Sequence, residues 1–324
     1  MKKLYFISCI FILFFSSCET EFDVHAEWEE VLVVYGLIDP AEEAQYVRIN
    51  KAYLGDGDAI QMASTDSINI DPSDFRVVIK KEKLNSFNDW EILDSLPLID
   101  TIMNKEEGLF YSEQNIIYYV EDNSFFDVSN YDDRRFSIYV TNKRTDVSVD
   151  SYTKLVQPIR FDLNQSYQLG LYNANEFQLG DIKWIKPKNA YVYELELVLK
   201  YTESYNGSLD TISIGWKSSV VDKNKITVDG EKYFNFLENE IQKNILVQRN
   251  YIGFEAIITA GSEDLYTYIS INTPSSSIVQ ERPAFTNINN GIGIFSSRTS
   301  EKSSITLTSQ TIDYLKSEGF GRFQ

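Results

Sequence analysis

Short alternations of apolar and polar residues dominate the chain from residue 29 onward. Residues 29–37 (EEVLVVYGL) are a brief run rich in β-branched side chains, closed by Asp39-Pro40. That pattern predicts a buried strand ending in a turn. Residues 45–54 alternate, with Tyr46, Arg48 and Asn50 opposed to Val47 and Ile49, and predict a half-buried strand. A loop of small and acidic residues follows at 55–67. Further strands are predicted at 74–83, 90–96, 109–111, 115–120, 135–142 and 146–156. The segment 135–142 is the clearest, with Phe136, Ile138 and Val140 on one face. With no long helical period among them, these strands predict an Ig-like antiparallel β-sandwich over 29–157.

The pattern pauses at Gln157-Pro158 and a polar stretch at 162–166, which mark a junction. Residues 158–324 then read as a second, mostly β domain. Strands are predicted at 181–185 and 190–201. Asn206-Gly207 tolerates positive φ at both positions, so 190–218 reads as one hairpin returning through Trp216. Over 231–247 the period changes. Tyr233, Phe234, Leu237, Ile241 and Ile245 fall at helical spacing and predict an amphipathic helix. Strands are predicted again at 254–259 and 265–272, and a short helix at 309–318.

The first residues follow a different logic. Lys2 and Lys3 precede an apolar stretch too short for the roughly 20 residues a helical span needs. Small residues and Cys18 follow. This order describes a bacterial lipoprotein signal peptide over 1–17, with Cys18 the lipidated first residue of the mature chain. Residues 18–28 then form an acidic tether, and multiple acyl chains at Cys18 hold the protein to a membrane.

Composition removes several chemistries. The 324 residues carry 48 acidic and 30 basic side chains, a net charge of -18, which opposes nucleic-acid binding. The two cysteines are Cys9 and Cys18, and the one histidine is His25, within the tether. Cysteine nucleophiles and Cys/His metal sites therefore lack parts, and no cofactor or metal is expected. Asp56-Gly57-Asp58 resembles the start of a calcium loop but lacks the third acid and distal Glu. The paired glycines Gly291 and Gly293 lack the third glycine and the βαβ setting of a dinucleotide site.

Two separated stretches carry a resemblance. One is 32–38 (LVVYGLI). The other is 282–295 (RPAFTNINNGIGIF), where a proline precedes Asn287-Ile288 and the alternating Gly291, Ile292, Gly293, Ile294 and Phe295. Together with Cys18 and the acidic tether, they resemble domain-of-unknown-function family 4249, outer-membrane lipoproteins of the Bacteroidota. Tyr35 and a longer acidic loop at 55–73 depart from that pattern. The resemblance implies a lipid-anchored outer-membrane protein, on the cell surface, encoded near TonB-dependent receptors, with no catalytic residues to carry over. The segment containing Asn287, Gly291, Gly293 and Phe295 offers no nucleophile, acid or base and reads as structural. Asn287 bonds nearby backbone, the glycines allow close approach, and Phe295 supplies apolar surface.

Three functions follow as expectations. The first is a non-enzymatic binding or accessory protein, with a TonB-dependent outer-membrane receptor as partner. The second is a carbohydrate-binding or adhesive module, to be signalled by exposed aromatics on the 190–218 hairpin. The third, least favoured, is a glycoside hydrolase using two carboxyl groups roughly 5–10 Å apart.

Overall fold

The computed structural model describes residues 31–52, 71–103, 115–164, 166–242, 244, 246–272, 285–317 and 323. Cys18, His25, Asp56, Asp58 and the strand predicted at 109–111 lie outside them. The fold is mainly β, as the alternations require, with three α-helices among the described residues. The first half holds β1 (Val31–Ile38), β2 (Gln45–Ala52), β3 (Phe75–Leu84), β4 (Trp90–Pro97), β5 (Ile99–Met103), β6 (Asn115–Val120), β7 (Arg134–Asn142) and β8 (Ser148–Thr153). Short strands β9 (Arg160–Phe161), β10 (Gln168–Leu169), β11 (Tyr172–Asn173) and β12 (Glu176–Phe177) lead into β13 (Leu179–Ile185). Then come β14 (Val192–Tyr205), β15 (Ser208–Lys217), β16 (Lys225–Asp229), α1 (Gly230–Glu240) and β17 (Gln248–Gly261). The chain closes with α2 (Glu263–Asn272), β18 (Ile292–Ser304), β19 (Thr306–Leu307) and α3 (Ser309–Leu315).

The largest sheet has eight strands in the order β15-β14-β17-β18-β1-β2-β6-β5. It draws on both halves of the sequence. β18 runs antiparallel to β17 on one side and parallel to β1 on the other, so Val33 faces Ile292 and Gly36 faces Phe295. The pairing of β1 with β18 thus adds one parallel ladder to the expected antiparallel set. There are two cores, but neither keeps to one side of 157/158: Val156 belongs to the second, Ile288 and Phe295 belong to the first, and one sheet runs through both.

In the first core, Leu32, Val34, Val47, Ile49 and Phe295 pack against Phe136, Ile138 and Val140 of the four-stranded sheet β4-β3-β7-β8. In the second, Leu195, Leu197, Phe254 and Ile258 pack beneath Trp184 of the sheet β16-β13-β9 and Tyr233, Phe234 and Leu237 of α1. The hairpin turn at 206–207 has the positive φ values its sequence requires, at Asn206 (50°) and Gly207 (84°).

Two predicted elements change. The helix at 231–247 stops at Glu240. The Asp229 carboxylate caps its start, accepting from the backbone N–H groups of Glu231 (3.0 Å) and Lys232 (3.3 Å). Ile241 turns extended yet stays buried, so the apolar period outlasts the helix. The strand predicted at 265–272 is the helix α2. Its β-branched and aromatic residues favour a strand, but β17 has already ended at Gly261. Glu263 and Asp264 supply favourable charge in the first turn. Thr267, Ser270 and Asn272 return their side chains to carbonyls four residues back. The strand β5 lies just beyond the segment predicted at 90–96, where the alternation predicts none.

Candidate binding face

The two faces of the eight-stranded sheet differ. Alternation along β1 buries Leu32, Val34, Gly36 and Ile38 and turns Val33, Tyr35 and Leu37 outward. In β2, Tyr46, Arg48 and Asn50 share that outward side, as the sequence pattern predicts. Register sets Tyr35 beside both Arg48 and Ile294, and Tyr46 beside Tyr119.

The outward face has two halves of opposite character. Over β14, β17 and β18 it is clad with ion pairs: Lys200 with Glu255 (2.8 Å), Lys217 with Glu194 (3.6 Å) and Lys302 with Glu255 (4.0 Å). Over β1, β2, β6 and β5 the cladding gives way to tyrosines and aliphatic side chains. Tyr35, Tyr46, Ile99, Met103 and Ile292 are all more than 40% exposed. Tyr46 and Tyr119 stack with ring centroids 6.2 Å apart and planes 22° apart.

Between this bare half and α2 lies a groove of about 560 Å³. Its floor includes Ile117 and Ile294, and α2 contributes Leu265 and Tyr268 to its wall. Leu265 also lies over Gly261 of β17, where a β-carbon would come within 2.7 Å of it, and this seats the helix on the sheet. The Tyr35 phenol is pushed above its ordinary range by burial and by the adjacent Tyr268, so it stays protonated and able to donate. At one end Asp39 is 2% exposed. Its carboxyl is raised by burial, opposed by the Ala41 N–H and the Arg298 guanidinium 3.3 Å away. Asp39 thereby ties the turn after β1 to β18. Gln45 closes the same turn through its side-chain amide to the Asp39 backbone N–H (2.8 Å) and carbonyl (2.7 Å).

The segment 287–295 lies behind the groove and stitches the sheet together. The Asn287 side chain spans the Phe295 backbone, accepting from its N–H (2.9 Å) and donating to its carbonyl (2.8 Å). It also donates to Asp264 at the start of α2 (2.8 Å). The Phe295 ring is fully buried under Gly36. The two stretches that carried the family resemblance are therefore neighbouring strands in space. Gly293, at φ 116°, is the glycine with the special backbone, and a β-carbon there would collide with the Val34 carbonyl. Gly291 has no positive φ. Its constraint is proximity, since a β-carbon would lie 2.8 Å from the Leu32 carbonyl oxygen.

On the 190–218 hairpin two tyrosines are exposed, Tyr191 (44%) and Tyr205 (43%), at opposite ends of β14. Trp216 turns to α1 and meets Tyr233 edge-on at 6.0 Å. Among the described residues, no three His, Cys, Asp or Glu side chains gather in a way that could hold a metal ion. Also among them, no helix is long and apolar enough to cross a membrane. The sequence placed Tyr46 and Arg48 on one strand face, but the groove's other members, such as Met103 and Tyr268, had no local signal linking them. Tyr35 stood out there only as a departure from the family pattern. No family model matches the chain, and no curated protein is significantly similar to it.

Proposed function

We propose that this chain is a non-enzymatic binding protein, anchored through lipid at Cys18 in the outer membrane and facing the cell surface, whose contact surface is the bare half of the large sheet. One observation supports the reading most. A single continuous sheet face is clad with ion pairs on one half and left tyrosine-rich and aliphatic on the other. Solvated sheet faces carry alternating polar residues, whereas exposed apolar patches mark contact sites. Tyrosine, arginine and methionine are also the residues enriched where proteins meet. The partner class comes from the family resemblance: a TonB-dependent outer-membrane receptor, which the lipoprotein would assist as an accessory subunit.

The carbohydrate-binding reading is supported by the stacked pair Tyr46 and Tyr119, which offers a sugar a flat surface, and by the exposed but separate Tyr191 and Tyr205 of the hairpin. The glycoside-hydrolase reading would pair Asp39 with Glu42, which lines the same groove, but the Asp39 carboxyl is engaged with Arg298 and the Ala41 N–H.

Photo-crosslinking in intact cells tests the proposal. A benzophenone amino acid replacing Tyr46 should capture one outer-membrane protein, and the same group replacing Ser213 on the hairpin should not. Equal capture at both positions, or none at Tyr46, would overturn it.

A further inference from the structure

Resting on that reading of the face, we infer that Arg48 is a recognition cation, and that the partner polypeptide presents to it an acidic side chain flanked by apolar or aromatic residues. Elsewhere this protein supplies its buried and half-buried arginines with acids. Among the described residues, five are buried or half-buried: Arg48, Arg134, Arg135, Arg249 and Arg298. Four of these meet a carboxylate. Arg134 pairs with Asp133 (2.6 Å), Arg135 with Glu82, Arg249 with Glu203 (2.7 Å) and Arg298 with Asp39 (3.3 Å).

Arg48 has no such partner among the described residues. Its Nε donates one long bond, 3.4 Å, to the Asn50 side chain. A partly buried guanidinium without a counterion is costly, and a chain carrying 48 acids does not lack for carboxylates. The unused fork sits inside the groove, on the strand face it shares with Tyr46 and across from Tyr35. A planar guanidinium takes a carboxylate through two parallel bonds, and excluding water strengthens them. Ile117, Ile294 and Leu265 around it would take the apolar neighbours of that acid. A second copy of this chain fits less well as occupant, because a net charge of -18 opposes self-association.

The inference is tested on the detergent-solubilised, lipidated protein with two probes, acetyl-Phe-Glu-Leu-amide and acetyl-Phe-Gln-Leu-amide, followed by saturation-transfer NMR titration. The glutamate peptide should bind about tenfold more tightly than its glutamine twin, the range of a charge-assisted bond. Arg48→Met keeps the apolar stem and should abolish the preference, while Arg160→Met, at an exposed position, should leave it intact. Arg48→Met should also leave the melting temperature unchanged or raised, whereas Arg298→Met should lower it.

Equal binding of the two peptides would overturn the role of Arg48 and leave the contact face standing. Failure of both to bind at up to about 10 mM would overturn the acid-recognition site, while the contact face itself stands or falls on the Tyr46 crosslink. A melting temperature lowered by Arg48→Met would show that the chain's own carboxylates already occupy the fork, and would overturn it too.

Discussion

The contact between Gly36 and Phe295 joins the two ends of the sequence, and its strength can be measured with two small substitutions. Phe295 is fully buried, so Phe295→Ala removes a ring from a packed core at about 3–5 kcal/mol. Gly36 sits directly against that ring. A methyl group added there would lie 2.8 Å from the Phe295 Cδ2 and 3.2 Å from the Val47 Cγ2. Overpacking of this kind costs about 1–3 kcal/mol. In the double variant the nearer obstacle is gone, and the methyl group added at position 36 enters the space the ring vacated. Restricting the unfolded chain adds about 0.4–1 kcal/mol in favour of alanine. Gly36→Ala should then be close to neutral in the Phe295→Ala background, and the pair should couple by at least about 1 kcal/mol. Urea midpoints and slopes, followed by far-UV circular dichroism for the sheet and by tryptophan fluorescence for Trp184 in the other core, give the four corners of the cycle. Additivity within about 0.5 kcal/mol would refute the packing argument.

Two further outcomes follow from the anchor and from α2. Cys18→Ala should abolish incorporation of a palmitate analogue and release the protein from the membrane fraction, and retained label would show that another residue is acylated. Burial raises the Asp264 carboxyl, opposed by its bond to Asn287 and reinforced by Glu263. Because its folded value lies above its unfolded one, its contribution to stability is greatest below the ordinary aspartate range and is lost as pH rises through the folded value. Asp264→Asn should remove that component, so the variant's melting temperature should gain on the wild type between about pH 4 and pH 7; parallel pH profiles would contradict this.

Much of the fold could be read from local pattern, because strand alternation reports which side of a sheet a residue takes. The opposition of Tyr46, Arg48 and Asn50 to Val47 and Ile49 reappears unchanged in β2. The Asn206-Gly207 turn follows from two residues alone. What failed was decided by distant context. Residues 265–272 carry strand-forming side chains, and their helix is favoured by two acids at its start and by the seating of Leu265 over Gly261. The binding face was legible only in part, since its members come from β1, β2, β5, β6, β18 and α2. No spacing along the chain connects Arg48 to Tyr268, and no local pattern reveals that half-buried Arg48 meets no acid among the described residues.

The central position of β18 fixes when this molecule can become complete. Val33 in β1 pairs with Ile292, a partner 259 positions later. Until that strand arrives, one edge of β1 and one edge of β17 are open, and the first core lacks Ile288 and Phe295. The first half of the chain can therefore form its hairpins early but cannot seal its own sandwich. Closing so long a loop is slow by topology, and it leaves the open edges available to wrong partners in the interval. Order of synthesis and order of assembly run in opposite directions here: the first strand made waits for nearly the last.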